Sequence, residues 1–252
     1  MTNPPTTSED YAEQIRRCAQ ALSIAKNDLV TGELAKGHTP EMLKMFTDGN
    51  LDKRYQKLLD QFELTADEFE DLDEMIVDYV KTIPLTAYDT GCTDAGRFLD
   101  YLESARELTP TQRDYVTLQR GRYALEAQAM EHRMEHVRFQ EMAGMVERFA
   151  PEWGENPDLW VYLNPLRVWA TFQTTALLDE EDEVPATVLF YPVHEDIRTA
   201  VLEDEGLAVT KLLETKSRVR VDDPAWEEIG LSRDDRVEVC RDLAEIGLAA
   251  FG

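Results

Sequence analysis

Residues 109–151 read TPTQRDYVTLQRGRYALEAQAMEHRMEHVRFQEMAGMVERFAP. Thr109 has the character of an N-cap, Pro110 suits the first helical position, and Gln112 completes a capping-box pattern. No further proline occurs until Pro151. Leu118, Leu125, His132, Phe139 and Val146 recur every seven residues. Ala129, His136 and Ala143 keep the same step, and Arg122 stands in the one empty slot of that series. The pattern predicts one long helix over about 110–149. At 1.5 Å per residue, about 40 residues span roughly 60 Å. A helix of that length either bends at Gly121 or Gly144, or projects and packs against a partner.

Upstream, the apolar spacing stays helical. Ser8 caps a first segment carrying Tyr11, Ile15, Cys18, Leu22, Ala25 and Leu29, which Gly37 closes. Thr39-Pro40-Glu41 opens a second, short helix ending near Asp48-Gly49-Asn50, and Leu51, Tyr55, Leu58 and Phe62 form a third. Thr65 has capping-box spacing before Phe69, Leu72, Ile76, Tyr79 and Ile83, and Pro84 ends that helix. Another helix starts near Thr93 and carries Phe98, Leu102 and Leu108.

Downstream, Pro151, Gly154, Pro157 and Pro165 interrupt the helical pattern. Residues 159–163 are a short aromatic run. Asn164-Pro165 is read as opening a helix through Leu178. Residues 186–191 are a buried strand stopped by Pro192. Ile197, Val201 and Leu202 suggest a short helix closed by Gly206. Residues 217–221 alternate as an edge strand guarded by charge. Ser232 caps a last helix with Val237, Cys240, Leu243 and Ile246, stopped at Gly247. The expected fold is mainly α. A helical domain spans 1–150 and contains the long helix, and a smaller α+β domain follows over 151–252, with the boundary in the linker 151–157.

The 252 residues carry 51 Asp+Glu against 26 Lys+Arg, a formal charge of −25. Phosphate backbones would be repelled, so direct nucleic-acid binding is not expected. Hydrophobic residues make up 43%, and they are periodic, which excludes intrinsic disorder. The acidity fits a surface adapted to high intracellular salt, where screening relieves self-repulsion. No apolar run is long enough to cross a bilayer. The residues from Met1 lack the basic and apolar regions of a signal peptide, so a cytoplasmic or particle-bound protein is expected. Three scattered cysteines, Cys18, Cys92 and Cys240, make neither a disulfide framework nor a cysteine zinc site.

One string has chemical spacing. His132-Arg133-Met134-Glu135-His136 fits H-x-x-E-H. On a helix the imidazoles lie one turn apart on one face, where they could hold a zinc ion with Glu135 as base for a bound water. Glu214 or His194 is a conceivable third ligand. The string, continued to Phe139, resembles the signature of the inverted zinc metallopeptidases, the pitrilysin and insulysin family. The resemblance covers eight residues, and it implies a zinc-dependent hydrolase. That family is strand-rich and much longer, whereas this string lies inside a helical stretch. The apolar phase also places both histidines beside Ala129 and Phe139, as a buried, hydrogen-bonded pair. Di-iron carboxylate chemistry is disfavoured, because neither helical histidine has a Glu three residues before it.

Other signals are weaker. No phosphate-binding glycine loop and no G-x-S-x-G elbow occurs. Cys92 precedes a helix N-terminus, where a thiolate is favoured, but no second residue supports a nucleophile. Arg218 and Arg220 could grip an anion, and are read as solvated. Glu238, Asp242 and Glu245 argue against the last helix reading DNA. Met130, Met134, Met142 and Met145 are either core or an adaptable interface. With no complete catalytic set, the leading expectation is a non-enzymatic acidic helical interaction or assembly protein. It would be an oligomer subunit, adaptor or connector of a larger cellular or viral complex. The alternatives are a metal-dependent hydrolase using His132, Glu135, His136 and Glu214, and a regulator acting through protein contacts.

Overall fold

The computed structural model describes residues 40–62, 65, 68–83, 93–179, 181–194, 196–202 and 204–252. The first expected helix, the loop at Asp89 to Gly91, Cys18 and Cys92 lie outside the described residues. The chain divides into two compact units, Met1–Val116 and Thr117–Gly252. An α-rich fold with a small α+β part is the outcome.

In the first unit, α1 (Pro40–Gln61) is one continuous helix. The two short helices expected around Asp48-Gly49-Asn50 are therefore merged. Nothing lies within 4 Å of a Cβ built on Gly49, so neither a turn nor a close contact uses that glycine. Next come α2 (Leu72–Thr82) and α3 (Asp94–Ala105). Helix α2 starts later than the Thr65 pattern suggested. Thr65 instead donates its hydroxyl to the Phe62 carbonyl at 3.0 Å. Thr93 caps α3 by accepting from the Gly96 amide at 3.0 Å.

The core of this unit is aromatic. Phe98 meets Phe62 edge-on at 5.1 Å, and Tyr79 tilts against Phe98 at 5.2 Å. Among these rings sits a buried cation. Arg54 donates from Nε and Nη2 to the two Asp94 carboxylate oxygens, each at 2.7 Å. Its Nη1 donates to the Ile83 carbonyl, and Tyr79 Oη donates to Asp94 at 2.8 Å. One ion pair thus ties α1 to the start of α3, with α2 supplying the tyrosine. The fork geometry of arginine matches a carboxylate in this way.

The long stretch that dominates the sequence is not one helix. It forms α4 (Pro110–Glu131), α5 (Arg133–Ala143) and α6 (Val146–Trp153). Its start is as read: the Thr109 hydroxyl accepts from the Gln112 amide, and Gln112 Oε1 accepts from the Thr109 amide, both at 3.1 Å. The first interruption is at His132, with φ −105° and ψ 28°. The second is at Gly144 and Met145. Gly121 does not bend the helix. A Cβ there would meet the Phe190 ring at 3.0 Å, so this glycine serves close packing of α4 on a strand.

The second unit contains two three-stranded antiparallel sheets. β1 (Trp160–Leu163), β5 (Arg218–Arg220) and β6 (Ala249–Phe251) pair in the order β5-β1-β6. β2 (Val168–Phe172), β3 (Ala186–Val193) and β4 (Asp196–Val201) pair in the order β2-β3-β4. α7 (Asp204–Lys216), a 3₁₀ turn (Pro224–Glu228) and α8 (Arg233–Glu245) complete it.

Two expected helices are strands here. The residues after Asn164-Pro165 form β2, because Val168, Trp169, Thr171 and Phe172 are β-branched or aromatic and pair with β3. Residues 196–201 form β4, which pairs along β3 from Val188 to Val193, and Gly206 lies inside α7. Pro192 does not stop β3. It lies past Phe190, the last residue paired with β2, so its missing N–H costs no ladder bond on that side. The edge strand at 218–220 and the Ser232 cap, accepting from the Asp235 amide at 3.2 Å, are as read. β6 was missed. The apolar core gathers Trp153, Trp226, Phe251, Cys240 and Leu248, all fully buried.

Candidate functional site

Within the second unit, α5, β1, the turn after it and the end of α7 enclose a cleft of about 330 Å³. Phe139, Met142, Leu163 and Leu213 make it apolar. Glu135, Arg138, Arg167, Glu214 and Tyr162 supply its polar groups. Two of the sequence-predicted residues, Glu135 and Glu214, are thus brought to one cleft although 79 positions apart. A small number of polar groups on an apolar wall is the usual makeup of a binding site.

Glu214 is fixed in place. Its Oε1 accepts from Arg167 Nε at 2.8 Å and from Trp169 Nε1 at 2.9 Å. Arg167 is held in turn, donating from Nη1 to the Asn164 carbonyl at 2.8 Å, while its own amide donates to Gln128 Oε1 at 3.1 Å. Asn164 is buried and donates to the Pro192 carbonyl at 3.0 Å. One oxygen of Glu214 is therefore committed to two donors, which reduces what it can offer a cation. Ser217, on the cleft rim, adopts φ 67°, a left-handed value that usually favours glycine.

The two histidines differ from each other. His132 is the residue at the α4–α5 break and makes no side-chain cap bond. His136 is half-buried, and its Nδ1 is buried without a hydrogen-bond partner among the described residues. Burial disfavours the charged ring and lowers its pKa below the ordinary value. The fully hydrogen-bonded buried pair expected from the sequence is not what forms. Neither imidazole lines the cleft that holds Glu135 and Glu214. His194 lies in the turn between β3 and β4 with φ 57°. Among the described residues, no three His, Cys, Asp or Glu side chains converge as a metal ion requires. A metal held by this string would rest on His132 and His136 themselves, one turn apart along the chain.

The methionines separate into two groups. Met142 is half-buried at the cleft. Met130 and Met134 are 84% and 63% exposed, Val137 is 41% and Met145 is 40%. Four of the seven large hydrophobic side chains exposed among the described residues thus fall between positions 130 and 145.

Beside the cleft, β1 and β5 expose a different surface. Trp160 pairs across the ladder with Arg220, and Tyr162 with Arg218. Both guanidinium carbons lie over the Trp160 ring, 4.4 Å (Arg218) and 4.3 Å (Arg220) from its centroid. Arg218 Nη1 also donates to Tyr162 Oη at 3.2 Å. The sequence reading singled out the arginines but not the indole that organises them. The alternation of the run from Leu159 to Leu163 was the available signal, since it puts Trp160 and Tyr162 on one strand face. Comparison of the chain with protein-family models, with curated proteins and with solved structures gives no match.

Proposed function

We propose that the chain is an acidic helical interaction protein, working as a subunit, adaptor or connector in a larger assembly at high salt. The observation that carries this is the row Met130, Met134 and Val137, exposed at steps of four and three across α4 and α5. Met134 and Val137 share one face of α5, and Met130 lies at the end of α4, two residues before the break at His132. Unbranched methionines adapt to a partner surface, and exposed apolar side chains gathered in one stretch of chain are a recognised mark of protein contact. The net charge of −25 supports the high-salt setting, where screening shortens the reach of repulsion between acidic surfaces.

Light scattering coupled to gel filtration, in dilute buffer and in molar KCl, tests it. A defined oligomer in KCl that Met130→Ser/Met134→Ser/Val137→Ser reduces to monomer is the expected result. A compact wild-type monomer in both buffers would overturn the reading.

A second reading, a metal-dependent hydrolase, draws on Glu135 and Glu214 lining one cleft. It requires stoichiometric zinc that is lost on His132→Ala, measured by metal analysis of protein purified with zinc present.

A further inference from the structure

We infer that the β5 edge, with Arg218 and Arg220 stacked on Trp160, is a docking site for an extended acidic peptide segment of a partner protein. The inference deepens the interaction reading by naming a second contact surface and the chemistry of what it takes.

The outer side of β5 is only partly paired. Trp160 N–H donates to the Gly252 carbonyl at 2.9 Å, and Gly252 N–H donates to the Trp160 carbonyl at 3.0 Å. The Trp160 peptide groups therefore face β6. In an antiparallel ladder the next residue faces the other way, so Val161 exchanges its bonds with Val219. Arg218 and Arg220 then turn their peptide groups to the outer edge of the sheet. The Arg220 carbonyl is taken by Trp226 Nε1 at 2.6 Å and by the Asp223 amide at 3.2 Å, so the turn after β5 closes the edge at that carbonyl. The Arg218 N–H and carbonyl and the Arg220 N–H remain on the rim, where an incoming strand would pair.

The side chains select the strand. Arg218 and Arg220 are exposed on the same sheet face as Trp160, while Val219 is buried on the other. Neither arginine makes an ion pair among the described residues, in a chain with 51 acids against 26 Lys+Arg. Stacking on the indole holds the guanidinium plane and leaves N–H groups at its edge for carboxylates. Charge at an edge normally deters pairing. This edge deters basic and apolar strands and admits one with carboxylates at alternate positions, which would lie opposite Arg218 and Arg220. The unpaired backbone groups of the edge match those of a peptide strand and have no counterpart in a nucleic acid, which favours a peptide as occupant.

The test is titration of the full chain with a capped peptide of alternating glutamate and valine, followed by tryptophan fluorescence and sedimentation. Alternating lysine and valine, and a short oligothymidylate, are the comparison probes. Saturable binding of the glutamate peptide alone is expected. It should weaken at least about tenfold in Arg218→Gln/Arg220→Gln, and by less in Arg218→Lys/Arg220→Lys, which keeps charge but loses the planar fork. The fluorescence change should vanish in Trp160→Phe while sedimentation still detects the peptide. No binding, equal binding by the Gln variant, or preference for the oligothymidylate would overturn the inference. None of those outcomes involves the Met130 row, whose oligomer test stands or falls separately.

Discussion

Arg54 in the helical unit is 7% exposed and ringed by Tyr79, Asp94 and the carbonyls that close α2. In the mixed unit the deepest side chains include Trp153, Trp226 and Phe251, and the guanidiniums of Arg138, Arg218 and Arg220 stay at a cleft or an edge. One unit buries a guanidinium at its centre, and the other keeps its guanidiniums at the periphery, with Arg167 paired to Glu214 beside the cleft. A buried cation is worth keeping only when every partner is present, since removing one leaves a desolvated charge. A rim arginine carries little folding energy and is free to act in binding.

The largest expected effect comes from breaking the buried pair of Arg54 and Asp94. Asp94→Ala strands Arg54 among rings and carbonyls, and the loss expected for a broken buried pair is about 3–5 kcal/mol. Urea unfolding of the variant measures it. A loss below about 1 kcal/mol, the range of a surface pair, would erase the contrast between the units.

A glycine pair sharpens the same comparison at smaller magnitude. Gly121→Ala drives a methyl against the Phe190 ring, 3.0 Å from the built Cβ, and an overpacking loss of about 1–3 kcal/mol is expected. Gly49→Ala in α1 meets nothing within 4 Å and should gain up to about 1 kcal/mol through helix propensity. Opposite signs in thermal melts are the expected outcome. Equal signs would mean that the close approach of α4 to β3 is not what holds Gly121 in place.

The smallest effect is a pH dependence. The folded pKa of His136 lies below its ordinary value of 6.5 because burial disfavours the charged ring. The unfolded chain therefore binds a proton first as pH falls. The contribution of His136 to stability is whole above about 6.5 and drains away as pH drops towards the lower folded pKa. Unfolding midpoints in urea between about pH 5 and 7 should slope less in His136→Gln than in wild type. Parallel profiles would show that the ring is not desolvated.

Legibility in the sequence followed how local each signal was. Thr109 with Gln112 and Ser232 were readable because a cap is decided by three or four neighbouring residues. The stretches 166–172 and 197–202 were misread because Leu166, Trp169 and Phe172 fit a helical step as well as a strand. Only pairing with β3, a distant partner, decides between them. The continuous seven-residue rhythm hid the break at His132, since apolar phase survives a local change of ψ. Of the site, Glu135, Glu214 and the two arginines were visible as residue types. Their neighbours Arg167, Trp169 and Trp160 were not, because a cleft assembled from α5, β1 and α7 has no signature in any one segment.

The burial of Cys240 turns the core of the second unit into a clock. Its side chain is fully buried in α8, and burial pushes the thiol pKa well above the ordinary range. Thiolate is the species that reacts with alkylating reagents, so the folded unit is silent to them. In a chain with Cys18 and Cys92 replaced by serine, the alkylation rate then counts excursions that open the Trp153 and Trp226 core. A partner that closes on α5 or β5 and stabilises the unit would slow that count, without any label on the contact surface itself.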